Sequence, residues 1–447
     1  MTRIFITKAA LGAVLAFGVL SAAQPARAQS ADTADASTMA PAAEDMSGIP
    51  FGPSSKTHLY PADRPGLFTG GVRDWLSGVS NSLDKEYDDY LAFKKRIKDD
   101  YHLDFSMDTS FYWQTATPHG GAPVYLLVYY PSLTWQPFTD TSFGSGEINV
   151  TWGRQNYLTG RNSVSQAGNL GIINLANDWT TDNWSWSTVS YTHTLPGDMK
   201  WLSIGIGQYN LFSFDPSAYA GNAQTTFIGY SFAQDATQTF PNAGLGGWLQ
   251  AKSDDGQFTL AGGLQGATNL SGRAISTRGF EEGKLLYFGN IQWAPKVSGL
   301  GDGLYSFMMY EQPGLPNVTN RSVGVSLSLS QAFGDDWGGF IRVNNATGHD
   351  IPVETSANIG AVRNDPFNRS PSDQLGLAFG WNKNDFIFNG VTGANSRKDE
   401  YVTELYYNYT FFKGLILTPD VQVYFDPALA PNTGTAAVFT LRATIFF

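Results

Sequence analysis

The sequence feature that most constrains the fold is a two-residue alternation of apolar and polar side chains, which recurs from His102 to the C-terminus. The last segment shows it most clearly: one face carries Phe439, Leu441, Ala443, Ile445 and Phe447, and the other carries Val438, Thr440, Arg442, Thr444 and Phe446. A period of two is the repeat of a β-strand. The segment is therefore predicted to be a strand with one face suited to lipid and the other to water.

The same alternation recurs upstream, in segments that begin at Leu103, Ile148, Leu202, Val323, Leu375, Tyr401 and Leu415. A soluble sandwich also contains alternating strands. However, a sheet built from roughly 340 residues would leave costly unpaired edges unless it closed on itself. We therefore predict an all-β transmembrane barrel with antiparallel strands, about 16 of them at ~20–22 residues per strand and connection.

Composition supports a membrane barrel over a soluble domain. Aromatic residues make up 14% of the chain and charged residues only 15%, whereas a soluble domain usually carries about 25% charged residues. Beyond the N-terminal region no apolar stretch reaches 18 residues, which argues against helical membrane spans. Aromatic residues at strand ends, such as Trp201, Tyr409 and Phe411, suit an interfacial girdle.

Charge and cysteine content exclude several classes of function. The formal net charge is −11, and no basic patch is available to neutralise phosphates, so nucleic acid is not an expected partner. Cysteine is absent, which excludes a disulfide framework, a thiol nucleophile and a cysteine-ligated metal.

The N-terminal region is predicted to direct export. Residues 1–28 resemble a secretory signal peptide, with Arg3 and Lys8 before an apolar stretch and Ala26-Arg27-Ala28 as the cleavage pattern. A membrane anchor is the weaker alternative, because the apolar run of about 15 residues is shorter than the ~20 that a span requires. Residues 29–65 are rich in Ala, Ser, Asp and Pro and are predicted to be a flexible periplasmic leader.

Residues 66–101 are predicted to be a helical segment. Between residues 72 and 100, apolar side chains recur at intervals of three and four, at Leu76, Val79, Leu83, Tyr87, Tyr90 and Ile97. This spacing is typical of an amphipathic helix. The helix could pack as a plug or lid at the periplasmic mouth of the barrel, or it could pair with another helix. Residues 102–447 form the predicted barrel.

Connection lengths predict the orientation of the barrel. Phe412-Lys413-Gly414 is a tight connection and should face the periplasm, whereas the longer connection 426–436 should face outside. The final strand then runs back and ends at Phe447 on the periplasmic side, which agrees with the short connection.

Two regions resemble the carbohydrate-selective porins of the OprB family. The first runs from Gly207 to Gln250 and contains FDPSAYAGNAQTTFI at 214–228 and PNAGLGGWL at 241–249. The second comprises SDQLGL at 372–377, TELYY at 403–407, LTPDVQV at 417–423 and the terminal LRATIFF at 441–447. These are structural signatures of moderate specificity, and the resemblance covers roughly residues 102 to 447 with gaps.

The resemblance implies a passive porin in the outer membrane of a Gram-negative-type bacterium. Such a porin would admit small hydrophilic solutes, mono- or oligosaccharides in particular, and would lie in outer-membrane lipid. A terminal Phe447 is similar to the signal that outer-membrane proteins present to the barrel assembly machinery. Trimers are common among porins, so a homotrimer is left open. No cofactor, metal or energy source is implied.

The candidate pore-lining residues are polar or aromatic side chains on the predicted inner faces of strands: Arg342, Arg442, Asp420, Glu404, Phe340 and Asn344. Arg154 is a further candidate, because it is expected to end a strand and enter a constriction loop. Charged side chains that line a pore set its selectivity. Beside aromatic rings they would favour neutral sugars over free ions. Alternatively, these charges only satisfy one another inside a wide, wet barrel.

Catalytic chemistry is not expected. The five histidines show no metal-ligand spacing, and the best candidate for a hydrolase base is His193, which lies on a predicted strand. Four other functions stay open: a general non-selective porin, a polysaccharide exporter whose 72–100 helix docks a partner, a barrel hydrolase, and an adhesive barrel with a plugged lumen.

Overall fold

The computed structural model describes residues 72–118, 121–391 and 395–447, with side chains described from residue 79 onward. The predicted signal peptide at 1–28 and leader at 29–65 lie outside the described residues, so their boundaries stay predictions.

One long helix precedes sixteen barrel strands within the described residues. The helix α1 spans Val72–Tyr101. The first eight strands are β1 Leu103–Thr117, β2 Val124–Thr141, β3 Gly144–Tyr157, β4 Asn183–Thr194, β5 Leu202–Tyr209, β6 Gly244–Lys252, β7 Phe258–Gly266 and β8 Leu285–Trp293. The next eight are β9 Gly301–Gln312, β10 Ser322–Phe333, β11 Trp337–Ala346, β12 Val353–Asn364, β13 Gln374–Asn384, β14 Asp399–Phe412, β15 Leu415–Phe425 and β16 Thr435–Phe446.

Short elements connect the strands. They are the helices α2 Ser163–Leu170, α3 Tyr230–Ala233 and α4 Arg278–Glu281, the 3₁₀ turns Gly197–Met199 and Leu211–Phe214, and a two-residue strand Lys296–Val297 beside the start of β9. Helix α2 begins with a capping box, in which Asn162 and Ser165 satisfy each other's backbone N–H groups.

The sheet is closed, which confirms the predicted antiparallel barrel and its strand number. Each strand pairs with its neighbour in sequence, and β1 also pairs with β16 from Asp108↔Phe446 to Thr117↔Ala437. Closure leaves no long unpaired edge in the wall, which is the condition for strands that stand in lipid. Among the residues that the structure describes, no helix has the length and apolar character needed to cross a bilayer.

Side chains alternate between the two faces of the wall as predicted. On β16, Leu441 is 47% exposed and Arg442 is fully buried. The outward faces of the other strands likewise carry exposed Ile206, Leu260 and Phe379. The inner faces carry mainly small or polar side chains, since an apolar band outside and polar groups inside suit a barrel in lipid.

The core lies inside the barrel. Two connections fold into the lumen: residues 158–182 between β3 and β4, and residues 210–243 between β5 and β6. We call them the first and second inward segments. Their apolar side chains pack against the inner wall, as in the cluster that joins Phe227 and Phe232 to Phe340, Tyr406 and Tyr424.

Helix α1 docks at the end of the barrel that carries the tight β14–β15 connection. Ser80 Oγ donates to the carbonyl of Phe411 (2.7 Å), and Asp84 accepts from the backbone N–H of Lys413 (2.7 Å). Lys413 also pairs with Asp88 (2.8 Å), and the ring of Tyr87 meets that of Phe412. The helix was predicted either to pack at the mouth of the barrel or to pair with another helix. In the structure it packs at the mouth of its own barrel.

Removal of the Tyr87 ring should loosen α1 without opening the barrel. Tyr87→Ala should increase tryptic cleavage within α1 roughly five- to thirtyfold, because it removes about 1–2 kcal/mol of buried contact from the docked helix. Phe93→Ala is the matched control, since Phe93 lies on the exposed face of the same helix. Equal cleavage of the two variants would contradict this account of docking. Heat-modifiable electrophoretic mobility reports the intact barrel.

Candidate functional site

A cavity of about 1010 Å³ occupies the lumen next to α1. Tyr87, Leu91 and Lys94 of the helix line its mouth, and Arg342 of β11 lines its wall. The second inward segment lines it from Phe212 to Ala218, at Gly221, and from Ala233 to Asp235. The cavity is therefore bounded by the wall on one side and by inward-folded chain on the other.

Hydroxyl groups cover much of the wall of this cavity. The lining includes Ser106, Ser132, Thr134, Thr151, Thr188, Ser190, Thr192, Thr194 and Ser203, which belong to β1 through β5. Amide side chains extend the surface, at Gln136, Asn149, Gln250 and Gln292. Each hydroxyl both donates and accepts hydrogen bonds, so this wall offers many weak, uncharged contacts to a passing polar solute.

Glu404 holds the second inward segment in place. It lies on the inner face of β14, and its two carboxylate oxygens accept the backbone N–H groups of Ile228 and Gly229, the second at 2.9 Å. Glu404 is fully buried. A carboxylate that accepts two neighbouring amides fixes both the position and the orientation of that stretch of backbone.

Arg442 holds the same segment from β16. One guanidinium nitrogen donates to the carbonyls of Ala223 (2.6 Å) and Thr226 (2.8 Å). The other donates to Asn408 Oδ1 and Thr418 Oγ1, both at 3.0 Å. The planar guanidinium therefore ties two carbonyls of the segment to two strands of the wall.

Amide side chains complete the attachment, and a second carboxylate holds the first inward segment. Asn408 donates to the carbonyl of Thr225 (2.6 Å), Asn358 to that of Ser231 (2.6 Å), and Gln422 to that of Ala176 (2.9 Å). Glu400 accepts the backbone N–H of Ile173 (3.0 Å). We refer to Glu400, Glu404, Arg442, Asn408, Asn358 and Gln422 as the clamp residues.

The remaining predicted pore-lining residues lie at different places on the wall. Phe340 packs against Phe227 of the second inward segment. Asn344 donates to Ser326 Oγ (2.8 Å), and Asp420 accepts a long hydrogen bond from Gln422 (3.4 Å). Of the seven predicted residues, only Arg342 lines the cavity among the described residues. The other inner-face residues lie beneath the inward segments.

Arg154 lies on the outer face of the wall. Strand β3 continues to Tyr157, so Arg154 is inside the strand and not in the loop expected after it. It pairs with Tyr129 and Trp184, and its Nε donates to Asn156 Oδ1 (2.8 Å). Gln155, next to it, is the residue that faces inward. The side chain of Arg154 therefore points away from the lumen.

Two carboxylates and one guanidinium line the inner part of the cavity. Arg342 N–H donates to the carbonyl of Ala220 (3.3 Å), and Asp215 Oδ2 accepts from Ser326 (2.8 Å). Asp235 Oδ1 accepts the N–H and hydroxyl of Thr237, both at 2.8 Å. Neither aspartate was among the predicted pore-lining residues. A signal was available at Asp215, which directly follows the aromatic-rich run 211–214.

Burial raises the pKa of Asp235 to about 7, and the nearby charge of Asp215 adds to the effect, whereas hydrogen bonds from Thr237 and the charge of Arg342 oppose it. Asp235 therefore exchanges its proton near neutral pH, which is unusual for a carboxyl group.

The described residues form no metal site, and His193 is not placed to act as a base in the lumen. In the ranges 72–118, 121–391 and 395–447, no group of three or more His, Asp or Glu could hold a metal ion. His193 lies on the outward face of β4, where Nδ1 contacts the Tyr191 hydroxyl and Nε2 the carbonyl of Phe143, both at 2.9 Å. Both ring nitrogens already have partners outside the lumen.

Disruption of the Glu404 attachment should loosen the second inward segment. In Glu404→Ala two buried N–H groups lose their partner, at about 1–3 kcal/mol each. We therefore expect faster hydrogen exchange at Ile228 and Gly229 and a larger, noisier single-channel conductance. Thr403→Ala is the control, because Thr403 is the neighbouring residue on the opposite face and bonds the carbonyl of Ala378. Unchanged exchange at 228–229 would count against the clamp.

Comparison with known proteins agrees with this architecture. The family model described as "Carbohydrate-selective porin, OprB family" matches residues 306–447. The chain is 30% identical over 385 residues to Porin AaxA of Chlamydia felis, which covers 83% of this chain and 85% of the relative. It is 31% identical to Porin AaxA of Chlamydia abortus, over 70% of this chain and 68% of the relative.

A solved structure supports the fold. The high-pH structure of Pseudomonas putida OprB superposes with a TM-score of 0.64 at 16% identity, over 80% of this chain and 97% of that one. At this identity the likeness concerns the fold alone. The sequence relatives are porins, which confirms the prediction of a non-enzymatic channel of the outer-membrane type. The chain belongs to the OprB family of carbohydrate-selective porins.

Proposed function

We propose that this porin passes small neutral carbohydrates by passive diffusion through the lumen that the inward segments narrow. The observation that carries the proposal is the cavity lining, which combines the hydroxyl groups of the wall with a group of aromatic side chains, Tyr209, Phe212, Phe214 and Trp248. Sugar rings have hydroxyl groups at their edges and apolar C–H faces, so this combination of surfaces fits both.

The charges of the lining also favour neutral solutes. Among the described residues the cavity is lined by six side-chain carboxylates, Asp104, Asp108, Asp140, Glu147, Asp215 and Asp235, and by three side-chain cations, Lys94, Lys252 and Arg342. Two of these carboxylates pair with lysines outside the lining, Asp104 with Lys98 and Asp140 with Lys200, each at 2.8 Å. A small excess of negative charge gives a weak preference for cations over anions and little advantage to charged solutes over neutral ones.

Location and assembly are part of the same proposal. We place the barrel in the outer membrane of a Gram-negative-type bacterium, with α1 and the tight β14–β15 connection toward the periplasm. The terminal Phe447 would be recognised by the barrel assembly machinery before its backbone pairs with Met107 (3.0 Å). The proposed assembly is a homotrimer, for which the outward apolar groove formed by Met107, Leu133, Trp152 and Trp186 is the proposed contact surface.

Liposome swelling tests the proposed solute. Purified, folded protein should give faster swelling with glucose and a disaccharide than with an amino acid of similar size. Thr188→Val combined with Thr192→Val keeps the shape of the wall and removes two hydroxyls. We expect roughly two- to tenfold slower sugar entry in this variant, because the loss of one net hydrogen bond costs ~0.5–1.5 kcal/mol. Ion conductance should be unchanged.

The matched control is Thr109→Val, the same change on the outward face of β1, where Thr109 pairs with Tyr129. It should leave sugar entry unchanged. Equal swelling rates for sugars and the amino acid would indicate a general porin and remove the sugar preference. No swelling at all would exclude a diffusion channel and favour an exporter or a closed barrel.

Ion selectivity should depend on pH through Asp235. Its raised pKa, about 7, means that the carboxyl is mostly ionised at pH 8 and mostly neutral at pH 6. Acidification should therefore remove one negative charge from the lining and reduce the cation preference measured as the reversal potential in a KCl gradient. Asp235→Asn should show the pH 6 value throughout. Asp104→Asn, at the mouth, is the control and should keep the wild-type change of reversal potential between pH 8 and pH 6. The same change in Asp235→Asn would show that Asp235 is not the titrating group.

A further inference from the structure

Trp248 lies against a part of the wall that glycines make flat. On β6 it is paired with Gly205 of β5 and with Gly263 of β7. A Cβ added to Gly205 would lie 2.0 Å from the indole Cε2, and one added to Gly263 would lie 2.8 Å from Trp248 Cβ. The indole therefore occupies the space that side chains on the neighbouring strands would otherwise fill.

Two aromatic residues of the same region fix the orientation of this indole. The ring of Tyr209 lies 4.7 Å from it at 61°, and that of Phe214 lies 5.9 Å from it at 73°. Phe214 is held in turn by Phe288 at 4.5 Å. Trp248 is only partly buried and lines the cavity, so part of a rigid aromatic surface faces the lumen.

Hydrogen-bonding groups that are not used within the protein lie in the same cavity. In the described part of the chain, Asp215 Oδ1, Asp235 Oδ2 and Arg342 Nε have no hydrogen-bond partner. These three side chains are at most 6% exposed, and all of them line the cavity. Asp215 directly follows Phe214, which packs on Trp248. Buried polar groups without a partner are rare and indicate an unfilled interaction.

We infer that Trp248 and Asp215 form a pyranose-binding subsite, in which the indole stacks on the C–H face of the ring and Asp215 Oδ1, which is buried until its side chain turns toward the lumen, accepts a sugar hydroxyl. Arg342 Nε and Asp235 Oδ2 extend the site by one donor and one acceptor. The inference rests on the proposed function and adds a specific point of contact to it. A hydrated ion can use the carboxylate but has no apolar face to stack on the indole, so the site favours sugars over ions.

The test is block of ion current by a neutral disaccharide, maltose, in planar bilayers that contain the intact porin. The maltose concentration that halves the current should rise roughly three- to tenfold in Trp248→Ala, the range expected for loss of an aromatic contact. Trp248→Phe, which keeps a ring, should show a smaller rise. Gly205→Ala should resemble Trp248→Ala, because the new Cβ must displace the indole. Asp215→Ala should also raise the half-blocking concentration.

Leu249→Ala is the matched control, since Leu249 follows Trp248 on β6 and is exposed on the outward face of the wall. It shortens a side chain of the same strand without changing the lumen, and it should keep the wild-type half-blocking concentration. A contrary result is that sugars enter liposomes through the wild type while Trp248→Ala, Trp248→Phe and Gly205→Ala all keep the wild-type half-blocking concentration of maltose. In that case the subsite is wrong and the porin function stands. If the wild type neither passes nor is blocked by sugar, both proposals fail.

Discussion

The structure depends on one requirement: the backbone groups that the inward segments carry into the barrel must find hydrogen-bond partners there. Two segments of irregular chain lie within a wall whose own N–H and C=O groups are already paired with neighbouring strands. An unpaired buried group would cost about 1–3 kcal/mol. Glu404 and Arg442 meet this requirement from β14 and β16, and the amides of Asn358, Asn408 and Gln422 add to it.

The clamp residues also determine where the lumen stays open. They belong to β12 and β14 through β16, so both inward segments lie against that side of the barrel. The opposite side, β1 through β7, keeps its small hydroxyl side chains and the glycines beside Trp248 in contact with the cavity. The asymmetry of the channel therefore follows from which strands carry long hydrogen-bonding side chains and which carry short ones.

The sequence predicted the wall well and the interior only in part. Alternation identifies the inner face of β16, so Arg442 was correctly placed inside the barrel. Alternation cannot tell whether such a residue meets water or inward-folded chain, because a polar side chain suits both. The sign of inward folding was the long connection 210–243, where Phe227, Ile228 and Phe232 occur without a strand period. Arg154 was misplaced because β3 runs beyond the expected strand end.

Attachment and selectivity are consequently linked in this barrel. Phe214 and Asp215 lie on the same inward segment that Arg442 and Glu404 hold about ten residues further along the chain. Movement of that segment would shift Phe214 and Asp215 relative to Trp248, which belongs to strand β6 of the wall. A solute contact made of one wall residue and one segment residue is only as precise as the attachment between them. The buried charges of Arg442 and Glu404, which do not line the cavity, therefore contribute to its selectivity between solutes.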